Sequence, residues 1–218
     1  MRLKQQANLR ERGFAFGPRA ARMLLVLAVA GLCGCGAVPQ SKYYELTAPA
    51  EVSANAASNP LPVTLLVGPV KGSHLYREDR LVYATNNEQM GTYQIHRWTE
   101  PPTEMVQELV WRSLRASHDF SEVNLLTSSA RGDYVVQGNL YDFKEISGKN
   151  VTARVDLELE LREVKTGAVV WTHEYSHDEP VKGKDVPAVV EALDQNAQRG
   201  VSEASASLSE FLAVRLKR

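Results

Sequence analysis

The apolar and polar residues of the chain follow two spacings, one typical of strands and one typical of helices. The clearest strand pattern covers residues 151–162, where Val155, Leu157, Leu159 and Leu161 alternate with charged residues. A period of two places these four side chains on one face of a sheet and the charged ones on the other. One packed face and one wet face are typical of antiparallel sheets.

The turn after this strand predicts its register with the next one. A two-residue loop at Thr166-Gly167 would place the apolar positions of one strand opposite polar positions of the other. A three-residue loop that begins at Lys165, with Gly167 in the left-handed conformation, keeps apolar positions opposite each other. It pairs Leu161 with Trp171, Leu159 with His173 and Leu157 with Tyr175. We therefore predict the three-residue loop.

Further strands are predicted where apolar or alternating runs are bounded by turn residues. They are 61–70, closed by a turn at Gly68-Pro69, and 79–84, 91–98 and 133–143. A short aromatic segment, 41–46, is predicted to return and pair with the sheet.

Two segments have the helical spacing of apolar residues. The first has Pro101 and Pro102 in its first turn and is predicted to end near Ser117. Its apolar stripe is Met105, Val106, Leu109, Val110 and Leu114. The second covers 185–216, with Asp185 as N-cap and Pro187 in the first turn. Because glycine costs about 1 kcal/mol against alanine inside a helix, Gly200 predicts a close approach to the sheet or a break.

The N-terminus has the parts of a secretory signal. Basic residues precede an apolar stretch from Met23 to Gly31, and small residues follow it. Crossing a bilayer takes about 20 apolar residues, so this stretch predicts a signal and not a permanent span. Translation from Met1 and from Met23 are both compatible with this interpretation.

The two cysteines of the chain lie directly after this apolar stretch. Leu32-Cys33-Gly34-Cys35 resembles the lipobox of bacterial lipoproteins. The resemblance implies that Cys35 receives a thioether-linked diacylglycerol, that the leader is cut after Gly34, and that the new amino terminus is acylated. The alternatives are incidental cysteines or a disulfide, for which residues two apart are poorly placed. In the enterobacterial sorting rule, an aspartate directly after the acylated cysteine retains a lipoprotein in the inner membrane. This chain has Gly36 there, so by resemblance to that rule we expect it on the inner leaflet of the outer membrane.

The chain therefore divides into three parts. Residues 1–34 are the lipoprotein signal peptide, 35–62 the lipid anchor with a short Tyr-Tyr strand and a flexible tether, and 63–218 the folded domain. The tether is inferred from 47–62, whose Ala, Ser, Asn and Pro cannot bury enough apolar surface to offset ordering. With 218 residues in all, we expect a single core.

The charge of the chain is unevenly distributed. The whole sequence has 25 Lys and Arg against 26 Asp and Glu, but six of the basic residues and one Glu precede Cys35. The rest therefore has 19 basic and 25 acidic residues, a formal charge of about −6. Nucleic acid is excluded as a partner, because binding phosphates requires clustered Lys and Arg.

Candidate catalytic groups are few and poorly placed. His173 and His177 lie on a predicted strand, where their spacing spans about 13 Å and does not suit one metal ion. Glu158 and Glu160 lie on the wet face of a regular alternation. The sequence has no nucleophile elbow, Walker loop or dinucleotide fingerprint. We predict that the protein is not an enzyme and needs no cofactor.

One group of residues suggests a partner-binding surface. Arginines and aromatic residues concentrate in 79–83 and 97–101, and such residues are enriched at interface hot spots. The alternative is that Trp98 and Tyr83 pack in the core while the arginines are solvated. The candidate partner-binding residues are Tyr43, Tyr44, Arg80, Tyr83, Arg97 and Trp98.

These segments, in this order, resemble the ABC-type transport auxiliary lipoproteins. The matching features are the lipobox at Cys35, Tyr43 to Leu46, Leu66 to Val70, Asp79 to Tyr83, Arg97-Trp98 with Glu100-Pro101, and the closing amphipathic helix. Family members are lipoprotein partners of MCE-type intermembrane lipid transport systems. The resemblance implies a single α+β domain, with a mostly antiparallel sheet and two amphipathic helices on one face.

The implied function is that of a non-catalytic docking subunit, anchored in the outer membrane and facing the periplasm. Its implied partners are an MCE-domain periplasmic protein and an ABC permease and ATPase; assembly with further copies of itself is left open. The alternative is a lipoprotein scaffold or activator of an envelope assembly machine, such as a peptidoglycan synthase. An enzyme acting on lipids is the third hypothesis.

Overall fold

Within the residues that the structure describes, the fold consists of an eight-stranded sheet and two α-helices. The structure is a computed structural model that describes residues 39–47, 60–85, 89–127 and 129–217. Its strands are β1 Lys42–Tyr44, β2 Leu61–Gly72, β3 Arg80–Thr85, β4 Gln89–Trp98, β5 Phe120–Leu125, β6 Tyr134–Ser147, β7 Thr152–Glu163 and β8 Val169–Pro180. The helices are α1 Pro102–Ala116, α2 Val186–Arg215 and a short 3₁₀ helix, His74–Arg77. The predicted signal peptide, Cys35 and most of the tether lie outside the described residues.

Strand β6 is the centre of the sheet. Antiparallel β7 runs along one edge of β6, and β8 follows β7. The other edge is shared between two parallel strands, β2 along the first half of β6 and β3 at its end. Strand β5 is parallel to β2, β4 is antiparallel to β3, and β1 is parallel to β4. Most paired residues are antiparallel.

Both helices pack on one face of this sheet. Helix α1 contacts β2 and β5, α2 contacts β7 and β8, and the two helices contact each other. The apolar stripe predicted for α1 is buried throughout. The predicted α+β class, with a mostly antiparallel sheet and two helices on one face, is confirmed.

The predicted register of the β7–β8 hairpin is also confirmed. Leu161 lies opposite Trp171, and Leu157 opposite Tyr175. Gly167 has a φ of 72°, the left-handed conformation that the three-residue loop requires. The four alternating aliphatic residues of β7 are at most 3% exposed, so the wet face and the packed face were assigned correctly.

Helix α2 is held on the sheet by a close approach and a polar anchor. At Gly200 an added Cβ would lie 2.5 Å from the Tyr175 ring, which confirms the predicted close approach, and the helix continues without a break. One turn earlier, Asn196 is fully buried. Its Nδ2 donates to the carbonyl oxygens of Ala153 and His177 at 2.9 Å, and its Oδ1 accepts from the Tyr175 hydroxyl at 2.6 Å.

Replacing Asn196 by alanine should lower the free energy of unfolding by about 3 kcal/mol, because it removes three hydrogen bonds, two of them buried. Denaturant unfolding measures the change. Gln195→Ala is the matched control, since the neighbouring Gln195 is exposed and should change stability by less than about 0.5 kcal/mol. Equal effects of the two variants would contradict the anchoring role of Asn196.

Two expectations about the strands need correction. The predicted turn at Gly68-Pro69 is wrong: β2 continues to Gly72, with an irregularity in its pairing with β6 between Val67 and Val70. A bulge at this place accommodates the missing N–H of proline inside a strand. Strand β5 was not predicted, because its buried positions, Phe120 and Val123, are three residues apart and lack a period of two.

The 3₁₀ helix completes the edge of β6 where β2 leaves and β3 joins. Its Tyr76 is 1% exposed, and the Tyr76 hydroxyl donates to Asp142 at 3.0 Å. Burial, together with the Asp142 carboxylate, raises the pKa of Tyr76 well above its usual value. Lys144 forms an ion pair with the same carboxylate at 2.6 Å. The polar side chains at this part of the β6 edge are therefore paired with each other.

Candidate functional site

The six candidate partner-binding residues lie on three neighbouring strands, β1, β4 and β3, which we call the ribbon. Residues far apart in sequence become direct neighbours there. Tyr43 lies opposite Arg97 across the β1–β4 pair, and Arg80 lies opposite Arg97 across the β3–β4 pair. The structure therefore brings the candidate residues together, although it divides them between the two faces of the ribbon.

Three of them, Tyr43, Arg97 and Arg80, form a row on the face that points away from the core. Tyr43 is 60% exposed. Nη1 of Arg97 donates to both carboxylate oxygens of Asp79, at 2.8 and 2.9 Å. Arg80 is partly exposed and has no ion pair among the described residues. Like charges directly opposite each other are unfavourable in a sheet, so Asp79 is needed to offset the charge of Arg97.

The opposite face of the ribbon has an aromatic cluster, which consists of Tyr44, His96, Tyr93 and Tyr83. The centroids of successive rings are 5.8, 5.6 and 5.3 Å apart, and the Tyr44 hydroxyl shares a 2.8 Å hydrogen bond with Nδ1 of His96. A register shift between the Arg80/Arg97 and Val82/Thr92 pairs gives β4 extra residues. Such a bulge changes the direction of side chains, and here the rings of Tyr93 and His96 come into contact.

The electrostatics of this cluster favour uncharged side chains. Burial, followed by the nearby charge of Lys42, lowers the pKa of His96, which favours its neutral form. Burial and a hydrogen bond to Glu145 raise the pKa of the Tyr93 hydroxyl well above its usual value. The cluster therefore offers aromatic surface and neutral hydrogen-bonding groups, which suit packing and recognition more than proton transfer.

Trp98 is not available to a partner. Its side chain is 1% exposed and packs against Phe143 with ring centroids 5.4 Å apart. The core alternative is therefore correct for Trp98, and its assignment to a partner-binding surface is wrong. Tyr83 is half-buried: its ring covers Gly91, where an added Cβ would lie 2.5 Å from the tyrosine hydroxyl.

A buried carboxylate supports the cluster from the neighbouring strand. Glu145 on β6 is only 6% exposed. It accepts one hydrogen bond from the Tyr93 hydroxyl and one from the Ser147 hydroxyl, each of 2.6 Å. Sequence reasoning missed this residue, because its contacts depend on the parallel pairing of β3 with β6.

The carboxylates of the wet face of β7 are also engaged by neighbours. Asn139 donates to Glu158 at 2.9 Å, and Arg162 lies 2.9 Å from Glu160. A hydrogen bond from Gln137, together with Arg162, lowers the pKa of Glu160. In the part of the chain that the structure describes, no three His, Cys, Asp or Glu side chains are grouped closely enough to hold a metal ion.

A groove that the sequence did not predict adjoins the ribbon. Its volume is about 1090 Å³, and it runs beside α1 next to the residues that follow β1. Apolar side chains, among them Val70, Met105 and Leu109, line it together with the charged Glu104 and Glu108. It extends the accessible surface beyond Tyr44 and towards α1.

The ordered set of segments that forms this fold matches a known family model. The model described as the ABC-type transport auxiliary lipoprotein component matches residues 44–204, which span β1 to the middle of α2. The chain belongs to this family. No curated protein matches the chain.

Solved structures share the fold of this family member. A protein from Xanthomonas campestris is 19% identical, with a TM-score of 0.71; the match covers 81% of this chain and 99% of that one. A second, uncharacterized protein is 14% identical, with a TM-score of 0.60, over 80% of this chain and 99% of the other. At these identities the likeness is evidence of the fold alone.

Membership of a lipoprotein family agrees with a location in the cell envelope. Across residues 39–47, 60–85, 89–127 and 129–217, neither helix combines the length and hydropathy needed to span a bilayer.

Proposed function

We propose that this lipoprotein is a non-catalytic docking subunit of an ABC-type transport system of the MCE intermembrane lipid transport class. In this proposal Cys35 is acylated and holds the protein on the inner leaflet of the outer membrane, with the folded domain in the periplasm. The family match over residues 44–204 supports the connection with ABC transport. The partners are then an MCE-domain periplasmic protein and, through it, the permease and ATPase.

The observation that carries the docking role is the row of Tyr43, Arg97 and Arg80. It joins an exposed aromatic ring to two guanidinium groups on one flat face of a sheet. Tyrosine and arginine are enriched at interface centres, because each combines a large contact area with directed hydrogen bonds. The Asp79–Arg97 ion pair holds the Arg97 side chain of this row in place, so that side chain loses little conformational freedom on binding.

The environment of the buried and sheet-face carboxylates supports a non-catalytic role. Glu145, Glu158 and Glu160 each accept hydrogen bonds from adjacent side chains, which hold them in place. Carboxylates arranged in this way stabilise the sheet and its aromatic cluster.

Photocrosslinking tests the docking surface in cells. Replacing Tyr43 by p-benzoylphenylalanine should give a light-dependent adduct with the MCE-domain protein. The matched control is the same replacement at Tyr141, a 53% exposed tyrosine on β6 and outside the ribbon, which should give at most a tenth of that adduct.

Other outcomes of the photocrosslinking experiment would change the proposal. An adduct from position 43 with a peptidoglycan synthase would favour the alternative of an envelope assembly scaffold. Equal yields from positions 43 and 141, or none from position 43, would contradict docking through the ribbon.

A further inference from the structure

One end of the domain has three lysines, Lys149, Lys182 and Lys184, which we call the basic end. The β6–β7 and β8–α2 connections lie there, together with the last residue of β3 and the first residue of β4. The strand pairing places them together, because Thr85 lies opposite Ser147 and Thr152 lies opposite Pro180.

All three lysines are exposed and have no ion pair among the described residues. The acidic groups of the same end are already engaged. Asp185 caps α2 by accepting from the N–H of Ala188 at 3.3 Å, and Glu179 pairs with Arg199 at 2.7 Å. Glu88, in the β3–β4 connection, lies outside the described residues. Because a capping carboxylate keeps its charge, the described residues of this end set three lysines against Asp185, which leaves it locally positive on a chain that carries about −6 after residue 34.

The N-terminal segment leaves the sheet in the direction of the basic end. Strand β1 is parallel to β4, so the chain that precedes Lys42 lies on the side where β4 begins, next to the β3–β4 connection. Cys35 precedes Lys42 by seven residues, which span at most about 25 Å when fully extended. The part of β4 between Gln89 and His96 is seven residues long, about 23 Å. At full extension, seven residues are long enough to reach from Lys42 to the level of the basic end, but hardly beyond it.

We propose that the basic end rests on the bilayer and that its lysines contact the phosphates of anionic phospholipids. The inference depends on acylation of Cys35, as in the proposed function. Charge complementarity identifies the occupant: an anionic membrane surface adds about a fivefold gain in affinity for each nearby lysine. Met90, 38% exposed beside the same connection, supplies an apolar side chain at the level of the headgroups.

This contact would fix the orientation of the domain. The opposite end, with the β7–β8 turn and the last turn of α2, then points away from the membrane into the periplasm. The row of Tyr43, Arg97 and Arg80 then faces sideways, about 25 Å above the bilayer.

Quenching of a site-specific fluorophore tests this orientation. The full chain is expressed, and its acylated form is purified from membranes and reconstituted into vesicles. Cleavage after Gly34 and thioether formation at Cys35 leave no free thiol, so an introduced cysteine is labelled alone. Asn150→Cys places the label at the basic end, and Ala168→Cys places it in the β7–β8 turn at the opposite end. Vesicles contain 30% phosphatidylglycerol in phosphatidylcholine, with a nitroxide on a fraction of the lipid headgroups.

The label at position 150 should be quenched at least three times more strongly than the label at position 168. Combining Lys149→Gln, Lys182→Gln and Lys184→Gln should reduce the quenching at position 150 at least twofold, as should omission of phosphatidylglycerol. The matched control removes three exposed cations from the opposite end, by Arg131→Gln, Lys165→Gln and Lys217→Gln, and should leave quenching unchanged. Thermal unfolding of each variant verifies that it is folded.

Equal quenching at positions 150 and 168 would overturn the proposed membrane contact but not the proposed function. The same holds if neither the lysine substitutions nor the omission of phosphatidylglycerol changes the quenching at position 150. The mass of the same sample separates this result from a failure of the proposed function. A sample without acyl chains would overturn both proposals.

Discussion

Replacing Trp98 by alanine should lower the free energy of unfolding by about 3–5 kcal/mol, the range for deleting a buried aromatic side chain. The indole is 1% exposed and packs on Phe143, so its removal leaves a cavity under the ribbon. Because β4 continues into α1 directly after Trp98, the loss should also loosen the start of that helix. Guanidinium unfolding followed by far-UV circular dichroism measures the change.

Tyr43→Ala is the matched control for this variant. Tyr43 lies on the neighbouring strand but is 60% exposed, so its removal should change stability by less than about 0.5 kcal/mol. The two variants should therefore separate stability from binding, with Trp98 required for folding and Tyr43 for partner capture. If Trp98→Ala leaves stability unchanged but abolishes partner capture, Trp98 belongs to the binding surface and its assignment to the core is wrong.

The case of Trp98 shows which features the sequence could predict. A strand that alternates over twelve residues predicts its own faces, and the three-residue turn around Gly167 predicts the register of the next strand. These are local signals. The burial of Trp98 is not local, because the face of β4 that meets the core depends on the bulge and on the pairing of β4 with β3 and β1.

The features that sequence reasoning missed also depend on distant partners. The polar anchor at Asn196 needs the carbonyl groups of Ala153 and His177, and the buried Glu145 needs a hydroxyl from β4. An asparagine inside a helix and a glutamate at a strand end look like solvated residues in the sequence. Strand β5 was missed for a similar reason. Only Phe120 and Val123 of this strand are buried, and their burial depends on the packing of α1.

Replacing Cys35 by alanine should release the protein from the membrane fraction almost completely. In the proposed function, acyl chains on Cys35 would anchor the protein, because each buried methylene contributes about 0.8 kcal/mol and two or more chains hold a protein stably. Without them, the weaker electrostatic contact of the basic end should not survive washing at high salt. Fractionation of envelopes in high salt, with palmitate labelling of the same samples, measures both effects.

Cys33→Ser is the matched control, because it removes the other cysteine of the chain and should leave labelling and membrane association unchanged. If instead Cys33→Ser releases the protein and Cys35→Ala does not, the acylated residue has been misassigned. Persistent labelling of both single variants would mean that acylation occurs elsewhere.

In the proposed function, the anchor, the basic end and the ribbon together would let a small non-catalytic domain serve a transport system. The anchor would limit the distance between Lys42 and the bilayer to about 25 Å, the lysines would set the orientation of the domain, and the row of Tyr43, Arg97 and Arg80 would face a partner at a defined height. Binding gains from this arrangement, because restricting the domain to a surface raises its effective concentration towards a partner at the same membrane.

The most direct test of a lipid-anchored docking protein is the intact mass of the wild-type chain extracted from membranes. We expect a polypeptide that begins at Cys35 and carries the added mass of a diacylglycerol and one further acyl chain. A chain that retains residues 1–34, or one that begins at Cys35 with an unmodified thiol, would contradict the anchor and the membrane-bound docking role.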